Sequence, residues 1–456
     1  MMDEAVFPRS FLKSYPRAVR GEGCFIFTAD GRRFLDASGG AAVVTIGHGV
    51  EEVARAMAEQ ASQLAYVHSS QFHTGIAEKL AQRILGLAPH GMRPRGRVYF
   101  TSGGSEATET ALKLARQYWI ERGDKNRSRV ISRWQSYHGT TLGALAVSGN
   151  VRRRDPFAPM LPEWGHIPPC YCYRCPLSLE YPSCNVDCAD ELNRMLERDG
   201  SGDVAAFIFE PVVGATLGAV APPDGYVQRI AEICRRHGIL LIADEVMTGI
   251  GRTGRNFGVD HWGITPDMIL VGKGISSGYA PLGAVIVAGH VAEAVSRGTG
   301  SFLHGFTYNS HPVAAAAGNA VLDYLEREKL FARVEPAGKE LLGMLEVLRK
   351  FSVVGDIRGT GLLIGIEFVC DAKTRKPFPA DAQIAFRIQE DALEAGVMTY
   401  PIQGCADGTS GDHILIAPPF TITSTMMQML VAGLEHAIAD LEKSHLAGAG
   451  GSSALA

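Results

Sequence analysis

The stretch ILLIADEVMTGIGRTGRNFGVDHWGITPDMILVGKGISSGYAPLG occupies residues 239–283. It contains two short apolar runs, 239–243 and 268–271, which are rich in Ile, Leu and Val and bounded by Gly, Pro and Asp. Such runs are typical of strands that are buried on both faces of a parallel sheet. The stretch therefore predicts an α/β fold with a mostly parallel sheet.

Each of these two strands ends in one ionisable residue. Asp244 follows the first run, and Lys273 follows the second. In open α/β sheets, ligands bind at the carboxyl edge of the strands. A lysine that forms a Schiff base and an aspartate that keeps a pyridine nitrogen protonated are what a pyridoxal 5′-phosphate site requires. The alternative is an ion pair that caps the sheet.

Composition narrows the class of protein. A chain of 456 residues suits a large domain plus a smaller one. The formal net charge of −4 provides no basic face for nucleic acid or anionic lipid. No apolar stretch reaches the length of a membrane span, and residues 1–20 lack the apolar core of a signal peptide, so we expect a cytoplasmic protein. Nine cysteines, an odd number, favour thiols over disulfides.

A second site is predicted where the strand-like run 97–100 meets the glycine-rich turn TSGGSEA and a helical pattern. Glycines let the backbone approach an anion, and the first turn of a helix directs N–H groups at it. Gly104 and Ser105 lie at this junction, and we expect Ser105 to cap the helix. The pattern favours a phosphate site over an ordinary strand–turn–helix connection.

Two more strands are expected to end at the same sheet edge. Tyr137 and His138 follow the run 129–133, and Glu210 follows the run 205–209. Tyr137 could stack on a flat ring or be a half-buried core residue.

The ordered set of motifs resembles the class III aminotransferases, which are pyridoxal-phosphate enzymes of fold type I. The resemblance covers about residues 21–438. Its motifs are SGGSEA (102–107), YHG (137–139), EP (210–211), DEV (244–246), GRTG (251–254), GKG (272–274), PLGAV (281–285) and FTYNSHP (306–312).

The resemblance implies the catalytic residues. Lys273 would form the Schiff base and move the proton between the substrate Cα and the cofactor, which requires a neutral amine. Asp244 would pair with the pyridine nitrogen.

The resemblance also implies the other cofactor contacts. Val246 and Tyr137 would pack on the two faces of the ring. Gly104 and Ser105 would hold the phosphate. Thr307 would add a phosphate contact from the neighbouring subunit of a homodimer. His138 and Glu210 would lie at the same pocket.

The domain division follows from patterning. We expect residues 1–60 to contribute to a small α+β domain, 61–325 to form the large cofactor-binding domain with helices on its sheet, and 326–445 to complete the small domain. The tail 446–456 is low in complexity and is predicted to be disordered. Helices are predicted at 50–64, 314–350 and 424–442.

Two motifs point elsewhere. The run 249–254 fits the dinucleotide fingerprint G-x-G-x-x-G, but it neither follows a strand directly nor opens a helical pattern, which makes a nicotinamide-dependent oxidoreductase a distant alternative. Cys170, Cys172, Cys175, Cys184 and Cys188 contain one C-x₂-C pair, so a structural metal and packed thiols both remain open. A zinc-binding module would leave Lys273 unexplained.

The substrate class follows from an absence in the sequence. Class III enzymes that bind an α-carboxylate often carry an arginine shortly before Pro418-Pro419, but residues 403–413 contain none. A guanidinium is the usual carboxylate clamp. We therefore expect an ω-amine or ω-amino acid transaminase with a ping-pong mechanism and pyruvate as the 2-oxo acid acceptor. Aminomutases, racemases and decarboxylases of this class are the alternatives.

Overall fold

The computed structural model describes residues 5–451, with side chains through residue 445. Its strands are β1 (Ala18–Glu22), β2 (Phe25–Thr28), β3 (Arg33–Asp36), β4 (Arg97–Thr101), β5 (Arg129–Arg133), β6 (His166–Ile167), β7 (Val204–Phe209), β8 (Leu240–Asp244), β9 (Met268–Val271), β10 (Gly283–Val287), β11 (Val354–Thr360), β12 (Leu363–Phe368), β13 (Val397–Met398), β14 (Tyr400–Gln403) and β15 (Asp412–Ile416).

Its α-helices are α1 (Gly39–Ala42), α2 (Glu51–Gln63), α3 (Gly75–Leu87), α4 (Gly104–Glu121), α5 (Leu142–Val147), α6 (Val151–Arg154), α7 (Asp187–Asp199), α8 (Tyr226–His237), α9 (Gly289–Arg297), α10 (Pro312–Arg327), α11 (Leu330–Leu345), α12 (Ile384–Glu394) and α13 (Ser424–Gly451). No helix within the described part of the chain combines the length and the apolar character that a membrane crossing needs.

A seven-stranded sheet forms the centre of the molecule, in the order β4-β10-β9-β8-β7-β5-β6. Only β10 runs antiparallel to its neighbours in this sheet. Alternate residues of β8 enter different clusters: Leu240 and Ile242 pack with α4 and α9, whereas Leu241 and Ala243 pack with α7 and α8. Because helices cover both faces, the strands are apolar throughout. The mostly parallel sheet flanked by helices is confirmed.

Both ends of the chain contribute to smaller sheets. One sheet has the order β1-β2-β3-β13, in which β13 from the C-terminal part runs parallel to β3. The other has the order β11-β12-β15-β14 and is antiparallel. The division at residues 60, 325 and 445 remains our proposal. It is supported by the pairing of β13, from the C-terminal part, with β3 of the N-terminal part.

The helical run 314–350 is not one continuous helix. It divides into α10 and α11 at Glu328 and Lys329, because Lys329 has a φ of +52°, which ends helical hydrogen bonding. The last helix, expected to end at Glu442, continues to Gly451 and so includes residues 446–451 of the tail predicted to be disordered. Residues 452–456 of that tail lie outside the described residues.

The cysteine-rich segment packs its thiols around a small cavity. Cys172, Cys175, Cys184 and Cys188 line it, and all of the cysteines are free. Burial, together with the neighbouring thiols, raises the pKa of Cys172 to about 11 and that of Cys188 to about 12. Among the side chains described, those of residues 5–445, no three or more His, Cys, Asp or Glu are grouped so that they could hold a metal ion.

The loop that resembles a dinucleotide fingerprint instead joins three parts of the fold. Arg252, which is 1% exposed, donates hydrogen bonds to the carbonyls of Leu362 at 3.1 Å, Pro418 at 2.6 Å and Val44 at 3.2 Å. No α-helix begins at the end of this loop, where only the short 3₁₀ helix Gly258–Trp262 follows, so the loop lacks the strand–turn–helix context of a dinucleotide site. The loop connects the central sheet to both terminal segments.

We expect Arg252→Met to lower the free energy of unfolding by about 3 kcal/mol, because it leaves three buried carbonyls without a charged donor. Urea denaturation and thermal melting would measure the change. Arg255→Met is the matched control, since Arg255 is half exposed and its nearest carboxylate oxygen, on Glu335, is 3.7 Å away. If the two variants melted alike, the structural role of Arg252 would be wrong.

Candidate active site

One cavity lies at the carboxyl edge of the central sheet, where β4, β5, β7, β8 and β9 end. Eight of the nine residues predicted for the cofactor site line it, and Thr307 does not. The lining residues are Gly104, Ser105, Tyr137, His138, Gly139, Glu210, Asp244, Val246, Met247 and Lys273. The topology therefore brings together residues that are up to 169 positions apart in the sequence, as the parallel strand arrangement predicts.

The glycine turn leads directly into α4, and the first turn of this helix borders the cavity. A Cβ atom at Gly104 would lie 3.0 Å from Cγ1 of Val246, so glycine admits that side chain. Helices leave their first N–H groups without partners inside the helix, which makes this end suitable for an anion.

The expected helix cap at Ser105 is wrong. Gly103 is the N-cap residue, and Ser105 lies inside the first turn, where its Oγ accepts a hydrogen bond from the Thr140 N–H at 3.1 Å. Gly139 has a φ of +132°, and a Cβ there would lie 2.6 Å from Ser105 Oγ. The hydroxyl is thus held against the chain that follows β5, because only glycine leaves it room.

Asp244 and His138 form a buried pair. Nδ1 of His138 lies 2.7 Å from Oδ2 of Asp244, so this nitrogen carries the proton when the imidazole is neutral. The other carboxylate oxygen accepts a hydrogen bond from the Val246 N–H at 3.1 Å. The backbone N–H of His138 donates a hydrogen bond to Ser148 Oγ at 2.8 Å, which holds this residue in place. The pair holds the carboxylate in one orientation at the end of β8.

Glu210 acts on the backbone around the cavity. Its two carboxylate oxygens accept hydrogen bonds from the N–H groups of Tyr137 and Gly214, each at 3.0 Å. Burial raises the pKa of Glu210, His138 opposes that shift, and the Asp244 carboxylate adds to it. Glu210 therefore positions the segment that carries Tyr137.

Lys273 is the amine of the cavity. Its φ of +45° is a strained backbone conformation for a residue with a side chain, and such strain is concentrated at functional sites. Burial lowers the pKa of Lys273 to about 8, even though the nearby carboxylates of Asp244 and Glu210 act to raise it. The amine therefore loses its proton at lower pH than an exposed lysine does.

Thr307 lies away from this cavity. It is exposed, and its carbonyl accepts a hydrogen bond from the Tyr66 hydroxyl at 2.9 Å. Its predicted contact involves a neighbouring subunit, so its place outside the cavity of its own chain leaves that prediction as a proposal.

Three residues of this region are not among the cofactor contacts predicted from the sequence. Gly139 and Met247 line the cavity, and the guanidinium carbon of Arg153 lies 4.7 Å from the centre of the Tyr137 ring. Gly139 belongs to the quoted motif YHG and Met247 follows the quoted motif DEV, so both could have been added to the cofactor contacts from the sequence. Arg153 is 16 positions from Tyr137, and no sequence pattern links the two.

Comparisons with known proteins place the chain in a family. It matches the family model described as Aminotransferase class-III over residues 11–438. It is 39% identical over 432 residues to the uncharacterized aminotransferase YodT of Bacillus subtilis, covering 94% of this chain and 96% of that protein.

Solved structures agree with this match. An (S)-enantioselective omega-transaminase from Thermomicrobium roseum has a TM-score of 0.89 at 37% identity, with 96% of each chain covered. An amine transaminase from an uncultivated Pseudomonas species, in its PLP-bound form, has a TM-score of 0.88 at 37% identity, with 96% of this chain and 97% of that chain covered. The chain therefore belongs to the class III aminotransferases, the pyridoxal-phosphate-dependent transaminases of fold type I, as its motifs predicted.

Proposed function

We propose that this aminotransferase moves an amino group from an ω-amine or ω-amino acid to a 2-oxo acid, with pyruvate as the acceptor, in a ping-pong reaction. The observation that carries the proposal is the meeting of the Lys273 amine, the buried Asp244–His138 pair and the first turn of α4 in one cavity.

The residues present fit pyridoxal 5′-phosphate. The first turn of α4 and the Ser105 hydroxyl offer donors for a phosphate, beside glycines at 104 and 139 that no Cβ obstructs. The buried carboxylate of Asp244 suits a protonated ring nitrogen. Val246 and Tyr137 offer an aliphatic and an aromatic surface for a flat ring.

When bound, the cofactor would supply an aldehyde for the amine and a ring that withdraws electrons from the substrate Cα. Asp244 would hold a proton on the ring nitrogen, and His138 would keep the carboxylate aimed. Lys273 would move the proton between the substrate Cα and the cofactor, away from Cα of the donor and onto Cα of the acceptor. Its lowered pKa suits that role, because a general base works best when its pKa is near the working pH.

The substrate assignment has separate support. Two similar solved structures are an omega-transaminase and an amine transaminase. Residues 403–413 supply no arginine for a second carboxylate, which favours pyruvate over a dicarboxylic acceptor. An aminomutase or racemase of the same class is the alternative, and in that case no amino group would reach an added 2-oxo acid.

We further propose that the active unit is a homodimer, in which Thr307 of one subunit contacts the phosphate bound by the other. The exposed position of Thr307, away from the cavity of its own chain, supports this arrangement.

Lys273→Ala should abolish amino transfer to pyruvate, with a loss of at least about 100-fold in kcat from the missing proton transfer alone. Borohydride, which reduces a Schiff base to a stable amine, should attach no cofactor to the variant, and mass spectrometry of the intact protein would measure the attached mass. Lys339→Ala, at a helix surface position that is 76% exposed, is the control. Cofactor still attached to the variant at equal yield would contradict the assignment of Lys273.

The pKa of Lys273 can be tested in protein without cofactor. Labelling of Lys273 by a small amine-reactive reagent should increase with pH around a midpoint near 8, because only the neutral amine reacts. Exposed lysines in the same digest should react with a midpoint of about 10.4. Asp244→Asn should move the Lys273 midpoint to lower pH, because the Asp244 charge raises that pKa. If Lys273 reacted with the same midpoint as the exposed lysines, its pKa would not be lowered by burial.

Thr307→Ala should weaken cofactor binding about tenfold, which corresponds to one hydrogen bond to a charged group. Fluorescence titration with pyridoxal 5′-phosphate would measure the affinity, and light scattering would establish the oligomeric state. Thr374→Ala, at another exposed threonine, is the control. Unchanged affinity would exclude the contact between subunits.

A further inference from the structure

We propose that Arg153 binds the carboxylate of the 2-oxo acid acceptor. This inference rests on the proposed function and specifies how that function selects its acceptor. The guanidinium carbon of Arg153 lies 4.7 Å from the centre of the Tyr137 ring, and Tyr137 lines the cavity that contains Lys273. A partly buried guanidinium thus lies over an aromatic wall of the active site.

Three arginines follow one another on α6, and only Arg153 remains available. Arg154 donates to the carbonyls of Leu145, Ala146 and Ser148. Arg152 donates to Oε1 of Gln403 at 2.5 Å. In the described part of the chain, the Arg153 guanidinium has neither a carboxylate nor a carbonyl partner, and a partly buried cation without a partner is suited to bind a carboxylate.

The short helix α6 is held so that Arg153 keeps this position. The side-chain oxygen of Asn150 accepts a hydrogen bond from the Arg153 N–H at 3.1 Å, which caps the helix. Val151 packs against the chain at residues 404–411, because a Cβ at Gly408 would lie 2.7 Å from its Cγ2. Arg153 is therefore carried next to the loop in which the sequence has no arginine.

The charge of Arg153 reaches the reacting amine. Burial is the main cause of the lowered pKa of Lys273, and the positive charge of Arg153 adds to it. A short 2-oxo acid could direct its carboxylate at Arg153 while its carbonyl carbon faces the Lys273 side of the cavity. The planar guanidinium can hold both carboxylate oxygens. A single guanidinium can hold one carboxylate, which suits a monocarboxylic 2-oxo acid.

Arg9 is the competing candidate. It belongs to the exposed N-terminal segment, and its charge also acts on the Tyr137 hydroxyl. The structure favours Arg153, because Arg153 lies directly over the ring, on a capped helix, and interacts with Lys273.

The test compares two acceptors that differ in the carboxylate. With cofactor-loaded enzyme and one neutral amine donor, kcat/KM is measured for pyruvate and for propanal. Arg153→Ala should lower the value for pyruvate by about 10- to 100-fold through KM, the range for lost hydrogen bonds to a charged group. The value for propanal should stay within about twofold of wild type. The value for pyruvate in Arg153→Lys should be intermediate, because lysine keeps the positive charge but lacks the planar guanidinium that holds both carboxylate oxygens.

Arg152→Ala is the matched control, since its guanidinium is engaged with Gln403, and Arg9→Ala tests the competitor. An equal loss with pyruvate and propanal in Arg153→Ala would show that Arg153 only supports the fold of the site. A pyruvate-specific loss in Arg9→Ala, with Arg153→Ala unaffected, would also overturn the proposal.

Acetate binding separates this inference from the proposed function. Titration calorimetry of acetate into the cofactor-loaded protein needs no turnover. Weaker acetate binding in Arg153→Ala would support the carboxylate site even if wild-type enzyme transferred no amino group to either acceptor, in which case the proposed function alone would fail. Acetate affinity equal to that of wild type in Arg153→Ala would refute the site.

Discussion

The candidate active site depends on holding an amine and a carboxylate with limited access to water at the ends of adjacent parallel strands. β8 and β9 pair so that Asp244 lies beside Leu270, three residues before Lys273. Desolvation penalises both charges. The site offsets this penalty differently at its two ends: Asp244 receives hydrogen bonds from His138 and the Val246 backbone, whereas Lys273 responds with a lowered pKa. The carboxylate is thus held in one orientation, and the amine loses its proton at lower pH than an exposed lysine does.

The surroundings of this pair are organised to hold it rigidly. Val246 fits against Gly104 and Gly272, so that the loop after β8, the start of α4 and the end of β9 are in contact. Glu210 ties the chain at Tyr137 to the chain at Gly214. Arg252, a few residues after Asp244, anchors the same loop to both terminal segments. The geometry of the site therefore depends on contacts that reach beyond the central sheet.

Sequence patterns predicted much of this arrangement. The strands that carry the site, the glycine turn before α4 and the common sheet edge all follow from apolar runs and turn residues, which act locally. The errors were also local. Ser105 has a residue type that suits a helix cap, but Gly103 takes that position and the hydroxyl turns to Thr140. The run 314–350 has a helical composition, but Lys329 adopts a left-handed conformation that divides it.

The sequence by itself determined the fold class, the family, the identity of the ionisable residues and the edge of the sheet where they meet. These features depend on residue type, spacing and the direction of parallel strands. Only the tertiary structure decided which side chains pair: His138 with Asp244, Glu210 with two backbone N–H groups, and Arg153 with the ring of Tyr137. Such pairs form between residues up to 106 positions apart. Their distances are set by how helices and loops pack on the sheet, and spacing along the chain does not encode that packing.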